Sequence, residues 1–263
     1  FMEIDGTHGR TTWNEPANLD GAVYLDNAVN CTVRFCRIEN AGYSGVSLVG
    51  GSRENTVYGN EIRSCGFHGV LLQGFAPRLG EGLDLNHHNR IENNHIHHCG
   101  RLVGHGGGVF IHSSGSNRVA HNHIHHMPRY GICSKGGTPG TAEGSYEETI
   151  EQNRSRNNIY EYNDIHDVNL DSQDSGFISF HTLGKGTVVR GNLLHDCQRE
   201  LDDLCFGIYL DDGAGYVTVE QNVIWNIRGG SPGRCMPIYA KGIHNTIRHN
   251  ILVGEEPTGA AVN

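Results

Sequence analysis

Carboxylates gather in one part of this chain. Asp171 and Asp174 lie in "DSQDSG", Glu200, Asp202 and Asp203 in "RELDDL", and Asp211 and Asp212 in "YLDDG". Pairs of acidic side chains can divide the work of acid and base, one donating a proton while the other stays ionised. At a glycosidic bond that division needs carboxyls about 5 Å apart for retention, or roughly 6.5–9.5 Å apart for inversion. A second group is conspicuous: "NNHIHHCG" at 93–100 returns as "HNHIHHMP" at 121–128 and supplies His95, His97, His98, His123, His125 and His126. Clustered imidazoles are zinc ligands in many proteins, so the elements that carry them must be placed first.

Those elements repeat. Asn-x-(Ile/Leu) recurs at Asn60, Asn94, Asn122, Asn163, Asn192, Asn222 and Asn250, with Cys36-Arg37-Ile38 a degenerate eighth copy. An apolar residue or Tyr stands three positions before each Asn, and a second strand such as "GVSL", "GVFI" or "GIYL" follows in most copies. A spacing of 24 to 41 residues is too long for a hairpin ladder and carries no helical period. Each copy therefore reads as one coil of a parallel solenoid, about eight in all, in one domain over 1–263. The asparagines are placed to bond side chain to side chain from coil to coil.

Columns of this repeat absorb several conspicuous residues. Cys65, Cys99, Met127, Val168, Cys197 and Ile227, five positions after the Asn, form an inward apolar column, so free buried thiols are expected rather than a disulfide framework. His97, His125, His166 and His195 form another column, three positions after the Asn. A repeat needs no ligand to account for it, and the histidines are read as structural, with no metal and no cofactor.

Composition sets limits. Gly is 37 of 263 residues and Pro only 7, which suits short strands and many turns. With a net charge of -9 and no clustering of Lys or Arg, nucleic acid is not an expected partner. No stretch approaches a membrane span, and the oligomeric state is not legible. Phe1-Met2-Glu3 carries no secretory signal, and the chain reads as a mature or trimmed segment without obvious caps.

The coil pattern "NRIENNHIHHCG...GGVFI", with "MPRYGI" and "GTVVRGNLLHDC...GIYLDDGAGYVTVEQNVIWN", resembles the right-handed parallel β-helix proteins of the pectin-lyase-like superfamily. Within it the chain is most similar to glycoside hydrolases of the family 141 kind. The resemblance implies a secreted or periplasmic carbohydrate-active enzyme that hydrolyses glycosidic bonds with an acidic pair. "GHGGG" at 104–108 precedes the paired aspartates, the reverse of the polygalacturonase order, the Asn-Thr-Asp and Arg-Ile-Lys elements of that family are absent, and so is the Asp-Pro-His-Asp signature of mannuronan epimerases.

The residues themselves place the expected site. With Ile208 inward, Tyr209 and Asp211 face outward, and the equivalent column reads Gln73, His112, Lys135, Phe180, Asp211 and Lys241. Polar and aromatic side chains at rung spacing suit a sugar chain. Asp174, Asp211 and Asp212 are the expected catalytic residues. His181, Tyr209, Lys135, Lys241, His112 and Gln73 are the expected contacts to an oligo- or polysaccharide. If the strands ran straight, Asp174 and Asp211 would stand roughly 20 Å apart. They meet only if the chain bends near Gly176, and otherwise Asp174 pairs with Asp202 or Asp203. Tyr24 and Asp26 occupy the same repeat positions as Tyr209 and Asp211, so either aspartate could serve as a turn residue. Two alternatives stand beside the hydrolase: a polysaccharide lyase with a Lys, His or Tyr base and Ca2+ held by the acidic cluster, and a non-catalytic glycan-binding or tailspike-like rod.

Overall fold

A computed structural model of the chain describes residues 20–74, 85–136, 150–198, 204–228, 235–254 and 261–262. Three parallel sheets run the length of the molecule, of nine, eight and eight strands. Each coil contributes one strand to each sheet in turn. The first sheet consists of Gly21–Asp26, Ser44–Val49, Val70–Gln73, Gly107–His112, Tyr130–Lys135, Ser175–His181, Cys205–Leu210, Cys235–Ala240 and Ala261–Val262. The second sheet begins with Thr32–Arg34 and ends with Thr246–Arg248; the third runs from Arg37–Glu39 to Ile251–Val253. The described residues make eight full coils and one further strand, in agreement with the repeat count read from the sequence.

Stacked columns make the interior. Val46, Val70, Val109, Ile132, Ile178, Ile208 and Ile238 pair in register along the first sheet, and all are buried. Ile62, Ile96, Ile124, Ile165, Leu194 and Ile224 do the same in the third. Each such side chain contributes about 1.5–3 kcal/mol of burial free energy, and β-branched residues suit the pleat. Cys65, Cys99, Met127, Val168 and Cys197 are buried in the expected column, with Ile227 packed against it, and all eight cysteines are free thiols.

The asparagine ladder is continuous. Asn60 Nδ2 donates to Asn94 Oδ1 at 3.0 Å, and the same bond links Asn94 to Asn122, Asn122 to Asn163, Asn163 to Asn192, Asn192 to Asn222 and Asn222 to Asn250. Each Oδ1 also accepts the backbone N–H of the preceding asparagine, as Asn122 Oδ1 does from Asn94 N. The corner between second and third sheets thereby pairs amides that the strand ladders leave out. A second ladder, Asn55 to Asn89 to Asn117 to Asn158, lines another corner. The sequence reading missed it, although the five-residue spacing Asn55/Asn60, Asn89/Asn94, Asn117/Asn122 and Asn158/Asn163 announces it.

One register expectation fails. The alignment of Gly176 with Gly131 and Gly207 placed Phe180 in the outward column. Instead Ile132 pairs with Ile178 and Lys135 with His181, so Phe177 occupies the place of the glycines. Phe180 is fully buried in the core, and His181 is the outward residue. A one-residue slip exchanges the two faces of a strand. Among the described residues no helix is long and apolar enough to cross a membrane.

Candidate functional site

The outward column of the first sheet runs Asp26, Val49, Gln73, His112, Lys135 and His181 by direct pairing. It continues to Asp211 and Lys241, which follow the paired residues Leu210 and Ala240. Its two halves differ. Gln73, His112 and Lys135 are buried, whereas His181 and Asp211 are half-buried and Lys241 is exposed. The expected groove contacts are therefore split: Gln73, His112 and Lys135 stand outward of the sheet without lining an open surface. Beside them Leu71, Phe110, Tyr130 and Cys133 form a small buried apolar cluster of their own. Gln73 Nε2 donates to His112 Nδ1 at 2.9 Å, and Gln73 Oε1 and His112 Nε2 are buried without a hydrogen-bond partner among the described residues. Burial, with the Lys135 ammonium nearby, pushes the His112 imidazole down to about 3, so it is neutral.

The bend required of the chain is present. Ser175 pairs with Cys205 and Gly176 with Phe206, so a straight strand would leave Asp174 well short of Tyr209. Instead the Tyr209 hydroxyl donates to Asp174 Oδ1 at 3.0 Å. Asp174 adopts φ 52, a left-handed conformation that asparagine and aspartate tolerate better than most residues. A Cβ on Gly176 would lie 3.2 Å from Tyr209 Cβ and 2.9 Å from Phe206 O, so only glycine lets the strand come this close. Arg129, which the sequence reading missed, pins the turn: Nη1 donates to Ser172 Oγ at 2.8 Å and Nη2 to Asp174 O at 3.0 Å. Its place just before a strand gave no signal of that reach.

The Asp211 carboxylate lies close enough to the same hydroxyl to act on it electrostatically. Burial and the charges of Asp211 and Asp174 all push the Tyr209 phenol up, so it stays protonated and can donate. Burial alone would raise the Asp211 carboxyl. Lys241 Nζ at 2.6 Å, the Asp212 backbone amide and Tyr209 outweigh it, and Asp211 lies below the usual carboxylate range. Lys241 is raised in turn: burial opposes its charge, but Asp211, Asp212 and Asp174 favour it. Asp212 is the exposed member of the tandem and stands 3.7 Å from Lys241 Nζ. His181 is lowered, chiefly by burial and then by Lys135, with Asp211 and Asp212 opposing, and its Nδ1 contacts Thr182 Oγ1 at 2.9 Å.

Tyr209 itself is buried. Its ring packs on Phe206 at 4.5 Å and Tyr239 at 5.7 Å, so it positions carboxylates rather than offering a face to a sugar. Phe206 and Tyr239, stacked at 5.0 Å, were not anticipated, although "CFGIYL" and "MPIYA" show the alternation. Asp26 holds the column position of Asp211 six coils away and accepts from Asn27 Nδ2 at 2.8 Å, a turn contact. Glu200, Asp202 and Asp203 lie outside the described residues, as does most of the loop between Gly136 and Asn157.

The expected histidine column is also present on the outer face of the third sheet: His97, His125, His166 and His195 pair in succession and end against Trp225. His195 stacks on Trp225 at 4.2 Å.

Comparison with known proteins agrees with this architecture. Residues 7–145, just over half the chain, match the family described as "Right handed beta helix region". The chain belongs to this family. No curated protein sequence matches it. Among solved structures it is similar to one titled "Glycoside hydrolase", at 18% identity and TM-score 0.60, covering 88% of this chain and 38% of that one. A complex of XylC with xylose gives 12% identity and TM-score 0.57 over 85% of this chain and 34% of that one. The A-module of the Azotobacter vinelandii mannuronan C-5 epimerase AlgE4 gives 14% and 0.52, over 84% and 58%. These likenesses establish the shared β-helix. The chain spans between about a third and three-fifths of the length of those structures.

Proposed function

We propose that this chain acts on a poly- or oligosaccharide as a glycoside hydrolase, with Asp174 and Asp211 as the acid–base pair. The carrying observation is that Tyr209, whose hydroxyl donates to Asp174 Oδ1 at 3.0 Å, is raised by the charges of both Asp211 and Asp174. Asp211, held ionised by Lys241, is the base or nucleophile. Asp174, which forms no ion pair among the described residues, is the group proposed to donate to the leaving oxygen. His181, Lys241 and Asp212 border the pair on the open side and are the proposed contacts to substrate hydroxyls. The β-helix neighbours titled as a glycoside hydrolase, a xylose complex and a mannuronan epimerase support a glycan as substrate class.

A lyase keeps one supporting observation: His181 is half-buried, neutral and next to the acidic pair, as a base must be. The other bases weighed for it fare worse. Tyr209 is raised by two carboxylates, Lys241 is held charged, and Lys135 and His112 are buried. Incubation with aryl glycosides and with plant, algal and host polysaccharides, followed by both reducing-end assay and near-ultraviolet absorbance, separates the readings. New reducing ends without an unsaturated product support the hydrolase; an unsaturated product overturns it in favour of the lyase. Binding without turnover would leave the rod as the reading.

A further inference from the structure

The histidine repeat accounts for only part of what the third sheet displays. Its column explains His97, His125, His166 and His195. The neighbouring outward column reads Glu61, His95, His123, Asp164 and Leu193, so nothing in the repeat calls for histidine there. Only on the two adjacent strands His95–His97 and His123–His125 do imidazoles fill both columns.

Their nitrogens converge. His95 stacks on His123 at 4.9 Å and His97 on His125 at 5.0 Å, each nearly parallel. Across the diagonal, His95 Nε2 and His125 Nε2 are 2.8 Å apart. One ring nitrogen from each of His95, His123 and His125 lies within 4.8 Å of the others. A tetrahedral zinc ion with Zn–N of about 2.0–2.1 Å holds its nitrogens roughly 3.4 Å apart, so rotation of side chains on fixed strands would suffice. Second contacts already orient two of the rings: His125 Nδ1 meets His126 Nδ1 at 2.7 Å, while Asp167 holds His166, whose Nε2 meets His123 Nε2 at 2.8 Å.

We propose that His95, His123 and His125 form a site for a late first-row divalent metal ion such as Zn2+, bridging two successive coils. The ligand set is all imidazole, which suits Zn2+, Co2+, Ni2+ and Cu2+ and disfavours Ca2+ and Mg2+. Three protein ligands leave a fourth position for water. The metal would replace the proton now shared between His95 and His125. This departs from the sequence expectation of a purely structural column, and it is independent of the glycan reading, since Asp174 and Asp211 belong to the first sheet.

The test is calorimetric titration of chelator-treated protein with zinc chloride. One equivalent should bind to the wild type, with no comparable heat from calcium chloride. His125→Asn and the pair His95→Asn/His125→Asn should weaken binding at least tenfold, while His121→Asn, outside the triad, should leave it unchanged. Cobalt chloride gives a second readout on unaltered protein: an intense tetrahedral visible spectrum, removed by zinc, supports the site. Absence of stoichiometric uptake, a weak octahedral cobalt spectrum, or uptake unaltered in the folded double variant would overturn it. Should circular dichroism show the double variant unfolded, His123→Asn, whose side chain is exposed, takes its place under the same criteria.

Discussion

Tyr209 reaches back along its own sheet to donate a hydrogen bond to Asp174, 35 residues earlier in the chain, at 3.0 Å. Neither residue could be matched to the other by strand register. The contact exists because the chain turns at Asp174, Gly176 has no side chain to obstruct it, and Arg129 holds the turn from the preceding coil. Asp211, directly after the strand that carries Tyr209, is held instead by Lys241 Nζ at 2.6 Å.

Asp174→Asn and Asp211→Asn are each expected to lower turnover about a hundredfold or more, the scale of lost acid–base catalysis. Tyr209→Phe removes a hydrogen bond to a charged group, worth about 1.5–3 kcal/mol, and should cost roughly ten- to a hundredfold. As a positioning change it should also alter the pH profile, which a purely structural loss would not. Asp212→Asn, at the exposed member, should cost less, and Asp26→Asn nearly nothing. Initial rates on the substrate found by the polysaccharide panel check this; Asp211→Asn as active as Asp26→Asn would refute the assignment.

Lys241→Met tests the electrostatics. Lys241 stabilises ionised Asp211, so its removal must raise the Asp211 carboxyl, with burial then opposed only by Tyr209 and the Asp212 amide. If Asp211 must be ionised, the acid limb of the kcat/KM profile moves to higher pH. An unmoved acid limb would show that Asp211 is not the group it reports.

How much was legible follows from what repeats. The asparagine column and the apolar columns recur on nearly every coil, and each recurrence is an independent vote for register, so the solenoid and its interior could be read from spacing alone. The site does not recur. "DSGFISFH" offers Gly176 as the match to Gly131 and Gly207, yet Phe177 takes that place, and the one-residue slip put Phe180 outward instead of His181. Nothing in the linear pattern told that Gly176 serves close approach to Tyr209. Burial of Gln73, His112 and Lys135 was equally hidden, because outward of a sheet is not the same as exposed to solvent.

The asparagine ladder should carry much of the stability. Asn122 Nδ2 donates to Ile91 O and to Asn163 Oδ1, and its Oδ1 accepts from Asn94 N and Nδ2. Asn122→Ala strands a buried carbonyl, a buried amide and the neighbouring side chain's donor, at about 1–3 kcal/mol per unsatisfied group. A loss of about 3 kcal/mol or more by urea unfolding is expected. Asn250→Ala, at the far end and half-buried, should cost distinctly less; equal costs would mean that the ladder is not what holds the corner.

Acid should weaken the fold before its carboxylates titrate. Burial pushes His68 and His112 down to about 3, with neighbouring cations adding to the effect, against about 6.5 in an unfolded chain. Between those values the unfolded state binds protons that the folded state refuses, so stability is full above about pH 6.5 and is lost as pH falls below it. Each such histidine contributes a slope of about 1.4 kcal/mol per pH unit once the unfolded form is protonated, and the two together roughly double that. Glu92 and Glu161 are buried, but the guanidiniums of Arg118, Arg90 and Arg190 outweigh the burial penalty and keep both carboxyls low. Their contribution is therefore present above their unfolded pKa and fades only below about pH 4.5. Urea midpoints measured from pH 7 to pH 5 isolate the histidines. The slope should flatten by about half of the two-histidine value in His112→Gln, and an unchanged slope would mean that His112 is not held neutral by the fold.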